Sequence, residues 1–414
     1  MASVSRIQRV KLSSSILMLA REVCSHGGRL YVVGGWLRDH ILGVYSKDVD
    51  CEVHGLDSDV LEKLLSARGR VDFVGKSFGV YKWSVGSDVF DVALPREDSR
   101  GRVVCVQKDL GLNKAVVRRD FTCNALMYDP LEERWVDLVG GRADAEARIL
   151  RAVDSERFRD DSLRVLRAAR FVGTHSMQLD PSLVALCRTL DPSQHPVERV
   201  FGELRRILLS DSPGRALKAL ETLGALDSIL PKMNCTATAS ALQRGKTLQK
   251  QVDLGRGHLC VQLAILCRGF SSEGARRFLS RYQIERPGGI PAKRIALSLM
   301  TIQSLPNSPS DVELRHWVEH CELNWVLVYA AAWNPNISIE ACMKRGARLG
   351  LDQGPLPALL SGNHLMDLGV PAGASIGRWL SLIRQAQLDG ELKTTEDAKR
   401  WIGIRLDSEK KQGS

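Results

Sequence analysis

The sequence predicts an α+β protein with a mixed-sheet head at its N-terminus and an all-helical remainder. Short runs of β-branched and aromatic residues alternate with two helical stretches between about residues 29 and 137. After about residue 143, apolar residues recur at the helical period and strand-like runs become scarce. A chain of 414 residues is also too long for one compact core, which favours two to four domains.

The head contains five predicted strands and two predicted helices. The strands follow runs of high β-propensity at Leu30–Val33, Val49–Val53, Val80–Val85, Val89–Leu94 and Trp135–Leu138. The helices are Trp36–Leu42 and Ser58–Arg68. Residues 95–112 hold many charged residues and glycines but few apolar anchors, so we expect a mobile loop there.

Helical periodicity predicts the rest of the chain. The predicted helices are Asp160–Phe171, Val197–Leu209, Pro213–Leu223, Cys260–Cys267, Ala292–Met300, Asp311–Ala332, Ser338–Leu349 and Ile376–Leu388. Residues 234–257 are polar and weakly patterned, so we expect a loop or a domain seam. We therefore divide the chain into a head (1–142), a neck with the start of the body (143–233), a body (234–335) and a tail (336–414).

Composition bounds the compartment and the kind of partner. Lys and Arg outnumber Asp and Glu by 58 to 48, for a net charge of +10, which favours a polyanionic partner such as nucleic acid. The ten cysteines form no C-x-x-C pair, so neither a zinc site nor a disulfide framework is indicated. No apolar run approaches membrane-spanning length, and no signal-peptide pattern follows the N-terminus. We expect a soluble cytoplasmic protein without a membrane partner.

Two aspartates one residue apart are the most informative feature. Asp48 and Asp50 follow the turn Gly34-Gly35, and alternate residues of a strand point to the same face. Two carboxylates side by side can hold Mg²⁺, which leaves its other positions to water and substrate phosphates. The glycine turn lets phosphate oxygens approach backbone N–H groups, and Arg38 just beyond it can add a charged fork. The combination indicates metal-assisted nucleotide chemistry.

Three further clusters follow in order. They are Arg118-Arg119-Asp120-Phe121-Thr122-Cys123-Asn124, then Asp137-Leu138-Val139-Gly140-Gly141-Arg142-Ala143-Asp144, then Asp160-Asp161-Ser162-Leu163-Arg164-Val165-Leu166-Arg167 with Ala168 to Phe171. With the GG-x-x-RD and D-x-D opening, this order resembles the class II tRNA nucleotidyltransferase and bacterial poly(A) polymerase family. The resemblance covers roughly residues 30 to 230. It implies a nucleotidyltransferase head of the polymerase β-like fold, followed by a helical neck, body and tail.

The resemblance also implies an activity and a set of site residues. Family members add nucleotides to RNA 3′ ends without a nucleic-acid template, so the expected substrates are CTP, ATP and a tRNA acceptor, with Mg²⁺ as cofactor. Asp48 and Asp50 are the implied metal ligands, and Asp91 is our candidate third carboxylate. The implied nucleotide-binding residues are Gly34, Gly35 and Arg38 at the triphosphate, Arg119 and Asp120 at the ribose, and Asp161, Arg164 and Arg167 on the motif of the base template.

Asp161 and Arg164 suit a base template chemically. Asp offers only acceptors and Arg only donors, so a pair at i and i+3 on one helix face could present a donor–acceptor edge. Cytosine and adenine both carry an amino donor beside a ring-nitrogen acceptor, so one edge could accept both and refuse uracil and guanine. The family begins this motif with Glu-Asp, whereas this chain has Asp160-Asp161, so base specificity is less firmly implied than catalysis.

Two other segments match the family without contributing chemistry. Asp137 and Asp144 belong to an element that joins head to neck, which we interpret as a hinge. His258 and Arg268-Gly269 stand where many bacterial relatives carry a His-Asp phosphohydrolase domain. Arg cannot replace an imidazole ligand and Gly supplies no carboxylate, so we expect a degenerate region in which His258 is structural or on the surface.

Several alternatives stay open at this stage. The chain could be a poly(A) polymerase, although residues 73–80 resemble the tRNA-enzyme form of that region. It could be a partial enzyme that adds only CC or only A, a choice for which residues 95–112 are the kind of region that decides. It could also be a noncatalytic RNA-binding module with a dead polymerase head, but the retained Asp48 and Asp50 argue against that. Composition does not predict whether the chain is a monomer or a dimer.

Overall fold

The structure is a computed structural model that describes residues 10–73, 79–98, 104–284, 292–319 and 321–412. The chain divides into two compact units. The first comprises residues 1–204 and 219–229, and the second comprises residues 205–218 and 230–414. The four-part division predicted from the sequence remains a prediction.

The strands of the first unit form one mixed sheet and two short pairs. Within the described residues, a seven-stranded sheet has the order β3-β4-β5-β2-β1-β8-β9. Its parallel pair is β2 with β5, and its other neighbours are antiparallel. The strands are β1 Arg29–Val33, β2 Val49–His54, β3 Arg70–Phe73, β4 Val80–Val85, β5 Asp88–Ala93, β6 Arg96–Asp98, β7 Val104–Val106, β8 Met127–Asp129, β9 Arg134–Val136, β10 Ile149–Leu150 and β11 Gln178–Leu179.

Helices make up most of the rest of the described chain. They are α1 Ser14–Ser25, α2 Gly35–Leu42, α3 Ser58–Ser66, α4 Leu112–Val117, α5 Gly141–Glu146, α6 Ser155–Phe158, α7 Arg164–His175, α8 Pro181–Cys187, α9 Val197–Leu209, α10 Pro213–Thr222, α11 Leu226–Ile229, α12 Cys235–Leu248, α13 His258–Arg268, α14 Ser272–Arg281, α15 Ala292–Met300, α16 Asp311–Trp317, α17 Leu323–Trp333, α18 Ile339–Arg348, α19 Gly362–Asp367, α20 Ala374–Leu388 and α21 Thr395–Gln412. Short 3-10 helices lie at Thr122–Asn124, Pro192–Gln194 and Gly255–Gly257.

Strand β1 is buried on both faces because its apolar residues serve two cores. Leu30 and Val32 join the larger core, where helices α1 and α3 pack beside the sheet, and Tyr31 and Val33 join a smaller core with Val116 and Met127. Alternate residues of a strand point to opposite faces, so a run without polar residues is what a central strand requires.

The larger core is anchored by Trp83 of β4. This side chain is fully buried, and its indole N–H donates a 3.0 Å hydrogen bond to the carbonyl of Leu65 at the end of α3. The ring also lies 5.6 Å from Phe90 on the neighbouring strand. The aromatic pair and the hydrogen bond fix α3 against the edge of the sheet, because a buried indole N–H needs an acceptor.

The second unit is held by its own cores. Helix α17 is buried from Leu323 to Ala332 on nearly every side, apart from the partly exposed Asn324, as its continuous apolar run requires. In the tail, Trp379 and Ile383 of α20 pack with Leu365 of α19 and Ile402 of α21. Elements α15, α16 and α20 line a cavity of about 830 Å³. None of the site residues predicted from the sequence lines that cavity.

The predicted fold class is confirmed, because a mixed-sheet head precedes a largely helical remainder. The exception to an all-helical remainder is the two-residue pair β10 and β11. In the segment 234–257, expected to contain a loop or a domain seam, Asn234 caps helix α12 with its side-chain oxygen, so the loop is confined to residues 249–254. The segment predicted as one helix over Asp311–Ala332 is two, α16 and α17.

The segment predicted as a mobile loop, residues 95–112, contains secondary structure in its described parts, and its mobility stays a prediction. Strands β6 and β7 pair antiparallel, and α4 begins at Leu112. Residues 99–103 between the strands lie outside the described part of the chain, as do residues 74–78 of the segment compared above with the tRNA-enzyme form. No described helix is long and apolar enough to cross a membrane.

Gly141 at the start of α5 provides a test of this packing. A Cβ at Gly141 would lie 2.0 Å from the carbonyl oxygen of Thr122, an approach that only glycine allows. We expect Gly141→Ala to lower the free energy of unfolding by about 1–3 kcal/mol, the usual cost of overpacking. The measurement is thermal and denaturant unfolding of the full chain.

Gly202→Ala is the matched control. Gly202 lies within α9, and a Cβ there would meet no atom within 4 Å. The control should unfold at or above the wild-type midpoint, because alanine restricts the unfolded chain and favours a helix. Equal midpoints for the two variants would contradict the packing described for Gly141.

Candidate functional site

A row of polar side chains crosses one face of the sheet. Asp50 on β2 is the register partner of Asp91 on β5, and Asp91 is in turn the partner of Lys82 on β4. On the other side, Asp50 is the partner of Val33 on β1. Directly paired residues share a face, so two carboxylates and an ammonium group lie along one line. Asp48 directly precedes β2 and is exposed.

The carboxylates of this row disfavour one another's charge. The pKa of Asp50 is raised to about 6, mainly because burial disfavours its charge; Arg119 opposes this shift, and the nearby charges of Asp91 and Asp48 contribute to it. Such crowding of oxygen ligands around a partly buried carboxylate suits a hard cation. The described residues include no group of three or more His, Cys, Asp or Glu side chains already arranged to hold a metal ion.

The glycine turn lies against Asp50. Gly34 has a φ of 80°, a conformation that favours glycine, and it forms the N-cap of α2. A Cβ at Gly34 would lie 3.6 Å from Asp50 Oδ2 and 3.7 Å from Arg119 Nη1. The turn, a carboxylate and a guanidinium therefore meet at one place, and the first N–H groups of a helix begin beside them.

Arg119 is held in this position by Glu52. Its Nη2 donates a 3.0 Å hydrogen bond to Glu52 Oε2, and His54 Nε2 lies 2.8 Å from Glu52 Oε1. Burial alone would raise the pKa of Glu52, but His54 and Arg119 bring it below its usual value. Glu52 is therefore ionised and holds Arg119 in place. The Arg119 side chain remains 31% exposed. Arg119 is a direct candidate for contact with a bound nucleotide.

The Arg38 side chain is buried and hydrogen-bonded. Its side chain is only 7% exposed, and its Nε and Nη2 bind Asp39 Oδ1 at 2.9 and 2.6 Å, while Nη1 binds Asn124. The guanidinium also lies over the ring of Phe171, 4.7 Å from its centroid. The phosphate contact of Arg38 stays a prediction, and in this structure its donors hold partners beneath the turn.

Asp120 is likewise a buried carboxylate that holds neighbouring residues in place. Its Oδ2 accepts from Arg167 Nη2 at 2.6 Å and Nε at 2.8 Å, and its Oδ1 accepts from Asn124 and from the Phe121 backbone N–H. Burial opposes its charge, but Arg167 and these hydrogen bonds hold its pKa below the usual value. Both oxygens of Asp120 are occupied in this conformation, and its contact with the ribose stays a prediction. Arg167 is 33% exposed and remains at the edge of the site.

The helix predicted over Asp160–Phe171 begins later, at Arg164. Asp161 precedes it, and its Oδ1 accepts from the Leu163 N–H at 3.0 Å, a local bond that competes with helix. The prediction that Asp161 and Arg164 share one helix face is therefore wrong. Arg164 Nη1 and Nη2 donate to the carbonyls of Arg157 and Arg118, and burial lowers the Arg164 pKa.

Asp161 has partners that were not predicted. Its Oδ2 accepts from Arg199 Nη2 at 3.0 Å, and His195 Nε2 lies 3.0 Å from its Oδ1. Both partners come from the segment that leads into α9, more than thirty residues away in sequence. Asp160 is 3.6 Å from Arg157 Nη1. Asp161, in the motif that the resemblance implies is the base template, is therefore held by residues from outside helix α7.

The segment interpreted as a hinge and the region expected to be degenerate both make contacts of a structural kind. Asp137 accepts from the N–H groups of Gly141 and Arg142, and Asp144 accepts from Thr122 Oγ1 at 2.6 Å. In the second unit, His258 Nδ1 lies 3.2 Å from Gln249 Oε1, and Arg268 donates to the Ile302 carbonyl and the Tyr329 hydroxyl.

Sequence reasoning missed four residues of the head site: Glu52, His54, Lys82 and Asn124. Three of them could have been found. Glu52 and His54 continue the alternation that begins with Asp50, so they were bound to share its face. Lys82 could have been placed opposite Asp91 from the two-residue hairpin at Gly86-Ser87, because loop length fixes the register. No local signal identifies Asn124.

Two family models match the chain. Residues 30–151 match the model described as the Poly A polymerase head domain, and residues 176–236 match the probable RNA and SrmB-binding site of polymerase A. The first match contains the whole row of carboxylates and the glycine turn.

Similar proteins include two curated relatives. The Multifunctional CCA protein of Xylella fastidiosa is 34% identical over 215 residues, which are 49% of this chain and 50% of that protein. That of Neisseria meningitidis serogroup C is 30% identical over 244 residues, which are 54% and 57% of the two chains. The chain spans about half the length of the curated relatives it matches.

Solved structures extend the likeness in fold to nearly the whole chain. The CCA-adding enzyme of Bacillus stearothermophilus in complex with CTP has a TM-score of 0.69 at 23% identity, covering 96% of this chain and 98% of that one. The Thermotoga maritima CCA-adding enzyme complexed with tRNA-CCA has a TM-score of 0.64 at 20% identity, covering 97% of each. The resemblance seen in the motifs is thereby confirmed by the two family models over residues 30–151 and 176–236, and the chain shares the fold of these CCA-adding enzymes.

Proposed function

We propose that this chain is a Mg²⁺-dependent nucleotidyltransferase that adds CMP and AMP from CTP and ATP to a tRNA 3′-hydroxyl. It would build or repair the CCA terminus without a nucleic-acid template. The observation that carries this proposal is the meeting of Asp50, Asp91, Arg119 and the Gly34 turn on one face of the sheet. Acid ligands, a guanidinium and a phosphate-sized turn are the parts that triphosphate chemistry needs.

The donor set fits the metal. Asp48 and Asp50 would hold Mg²⁺, with Asp91 as the third carboxylate of the cluster. Oxygen donors are the ligands that this ion prefers, and the raised pKa of Asp50 shows carboxylates that a cation would relieve. When bound, the metal supplies a Lewis acid that lowers the pKa of the attacking hydroxyl and neutralises the pyrophosphate leaving group.

The chain's own residues would bind and orient the nucleotide. Gly35 would present its backbone N–H at the start of α2, where a helix N-terminus favours a phosphate, while Gly34 forms the turn and donates its own N–H to the Leu126 carbonyl. Arg119, fixed by Glu52, adds charged donors beside that turn. Arg38 and Asp120 act beneath this surface, since they hold the turn and Arg167 in place. Alignment and electrostatics suffice, without a covalent enzyme intermediate.

Base selection would fall to Asp161 and Arg164, although they do not share a helix face. Arg164 bonds to two backbone carbonyls and Asp161 to Arg199 and His195, so each side chain is held before a base arrives. Such preorganisation is what a template made of protein requires, because a mobile carboxylate would pair with either edge.

The relatives support the choice of substrates. Two proteins named Multifunctional CCA protein match half of this chain, and CCA-adding enzymes with CTP, with ATP and with tRNA share its fold. We also propose the cytoplasm as its compartment. The nine cysteines that the structure describes are free, and a reducing compartment suits free thiols.

One assay tests the function. Purified full-length protein is given Mg²⁺ and labelled CTP or ATP with tRNA ending before CCA, after C and after CC, and with an unrelated oligonucleotide. Addition of C, C and A in turn to tRNA alone supports the proposal. Long A tracts on any RNA would favour a poly(A) polymerase, and arrest after CC or addition of A alone would identify a partial enzyme.

We expect Asp50→Asn and Asp48→Ala to lower incorporation by about 10³-fold, since a metal ligand contributes several kcal/mol to the transition state. The fold should survive. In metal-free buffer, Asp50→Asn should be at least as stable as wild type, because the amide removes a carboxylate that burial and its neighbours disfavour. Initial rates and unfolding midpoints check both statements.

Asp59→Ala is the control for these variants. Asp59 is an exposed residue of α3 in the same unit, away from the carboxylate row, and should leave the rate unchanged. Near-normal turnover of Asp50→Asn with Mg²⁺ present would remove the metal assignment.

We expect Arg164→Ala to weaken base choice by at least about tenfold, the cost of losing a charged hydrogen bond of 1.5–3 kcal/mol. UTP and GTP should compete better against CTP and ATP, as measured by the ratio of kcat/KM values. Arg157→Ala is the control, because its ion pair with Asp160 is largely exposed and contributes little. If Arg164→Ala binds all four triphosphates equally poorly and keeps its selectivity, Arg164 is not a base reader.

A further inference from the structure

The loop between α2 and β2 exposes an aromatic ring beside the catalytic carboxylates. Tyr45 is 82% exposed, the highest value among the large hydrophobic side chains of the described residues, and its neighbour Val44 is 43% exposed. A single exposed tyrosine normally needs no explanation. The position of this one does, since it lies three residues before Asp48 and five before Asp50.

Both ends of this loop are fixed to elements of the site. Gly43 ends α2 in the left-handed conformation with a φ of 68°, and the Val44 N–H donates a 2.9 Å hydrogen bond to the Asp39 carbonyl. At the other end, Asp50 is in register with Val33. Helix α2 begins at the glycine turn and ends at its C-cap Gly43, so the loop joins the C-terminal end of this helix to the strand that carries Asp50. The ring is therefore presented from a short, anchored segment.

The reach of the chain brings Tyr45 close to the reacting end of an RNA. Three extended residues span at most about 10 Å, so the Tyr45 Cα lies within that distance of the Asp48 Cα. An RNA 3′-hydroxyl that reacts at the carboxylates carries its base, and the base before it, into the same range. Bases of a single strand stack on exposed aromatic rings.

The surrounding charge suits an RNA backbone. Lys47 is exposed in the same loop, and Lys82 lies across from Asp91 on the same face of the sheet. These cations can accompany phosphates into a site whose carboxylates would otherwise repel them. An exposed aromatic ring with a lysine two residues away is an arrangement that suits single-stranded nucleic acid.

We propose that Tyr45 is the stacking platform for a base at the single-stranded 3′ end of the acceptor RNA. This inference rests on the proposed function and assigns it a primer subsite. Tyr45 holds the terminal nucleotides so that the 3′-hydroxyl faces the Asp48 and Asp50 carboxylates. The contact is with the face of the base, so it is tolerant of sequence and serves each step of addition.

Direct binding tests the subsite without relying on catalysis. The probe is a tRNA acceptor-stem RNA with 2-aminopurine at its 3′ terminus, whose fluorescence is quenched by stacking. Wild type and Tyr45→Phe should quench it, whereas Tyr45→Ala should lose the quenching and bind on the order of tenfold more weakly. Val44→Ala, which removes exposed apolar area from the same loop but no ring, should behave as wild type.

Kinetics then separate positioning from a structural effect. Tyr45→Ala should raise the KM for the RNA and leave the KM for CTP unchanged, and an RNA with an abasic 3′ terminus should abolish the difference between wild type and variant. Quenching retained by Tyr45→Ala, or equal rises in both KM values, would overturn the proposal. If the wild type quenches the probe but incorporates no nucleotide, the proposed function fails while the stacking site stands.

Discussion

The buried ion pair between Asp120 and Arg167 is the interaction on which the site depends. A carboxylate without water is costly unless charged and hydrogen-bonded partners replace the hydration, and Asp120 has Arg167, Asn124 and a backbone N–H in that role. Losing Arg167 would leave the buried Asp120 without its charged partner. The pair ties the segment before the 3-10 helix of the head to α7, so the helix of the template motif has one allowed position.

The residues beside Asp120 extend this connection. The Arg118 carbonyl accepts from Arg164 at the start of α7, and Arg119 reaches Glu52 on β2. Three consecutive residues therefore contact the sheet face, the template motif and the buried pair. A nucleotide that touched Arg119 and Arg164 together would be held by a single rigid segment. This is a physical reason for a two-arginine motif followed by aspartate.

The carboxylate row differs from this ion pair, because the negative charge of Asp50 is only partly offset by neighbouring groups. Asp50 has a raised pKa in a partly buried position with two other carboxylates near it, and Arg119 only partly offsets them. Active sites often retain such unfavourable charge where a ligand will complete it. Glu52, two residues further along β2, is more buried than Asp50 but has full partners, and its pKa is lowered. Strand β2 thus carries one carboxylate with a raised pKa, Asp50, and one structural carboxylate with a lowered pKa, Glu52.

The sequence by itself determined the elements and the chemistry of the head. Strand and helix periods located β1, β2, β4 and β5, and residue types alone identified acids, glycines and arginines suited to phosphate chemistry. It did not determine which charged residues are free, because that depends on partners distant in sequence. Arg38 is hydrogen-bonded to Asn124. Asp120 pairs with Arg167, and Asp161 pairs with Arg199. Only the tertiary structure decides this, since desolvation and pairing act between segments that local periodicity cannot relate.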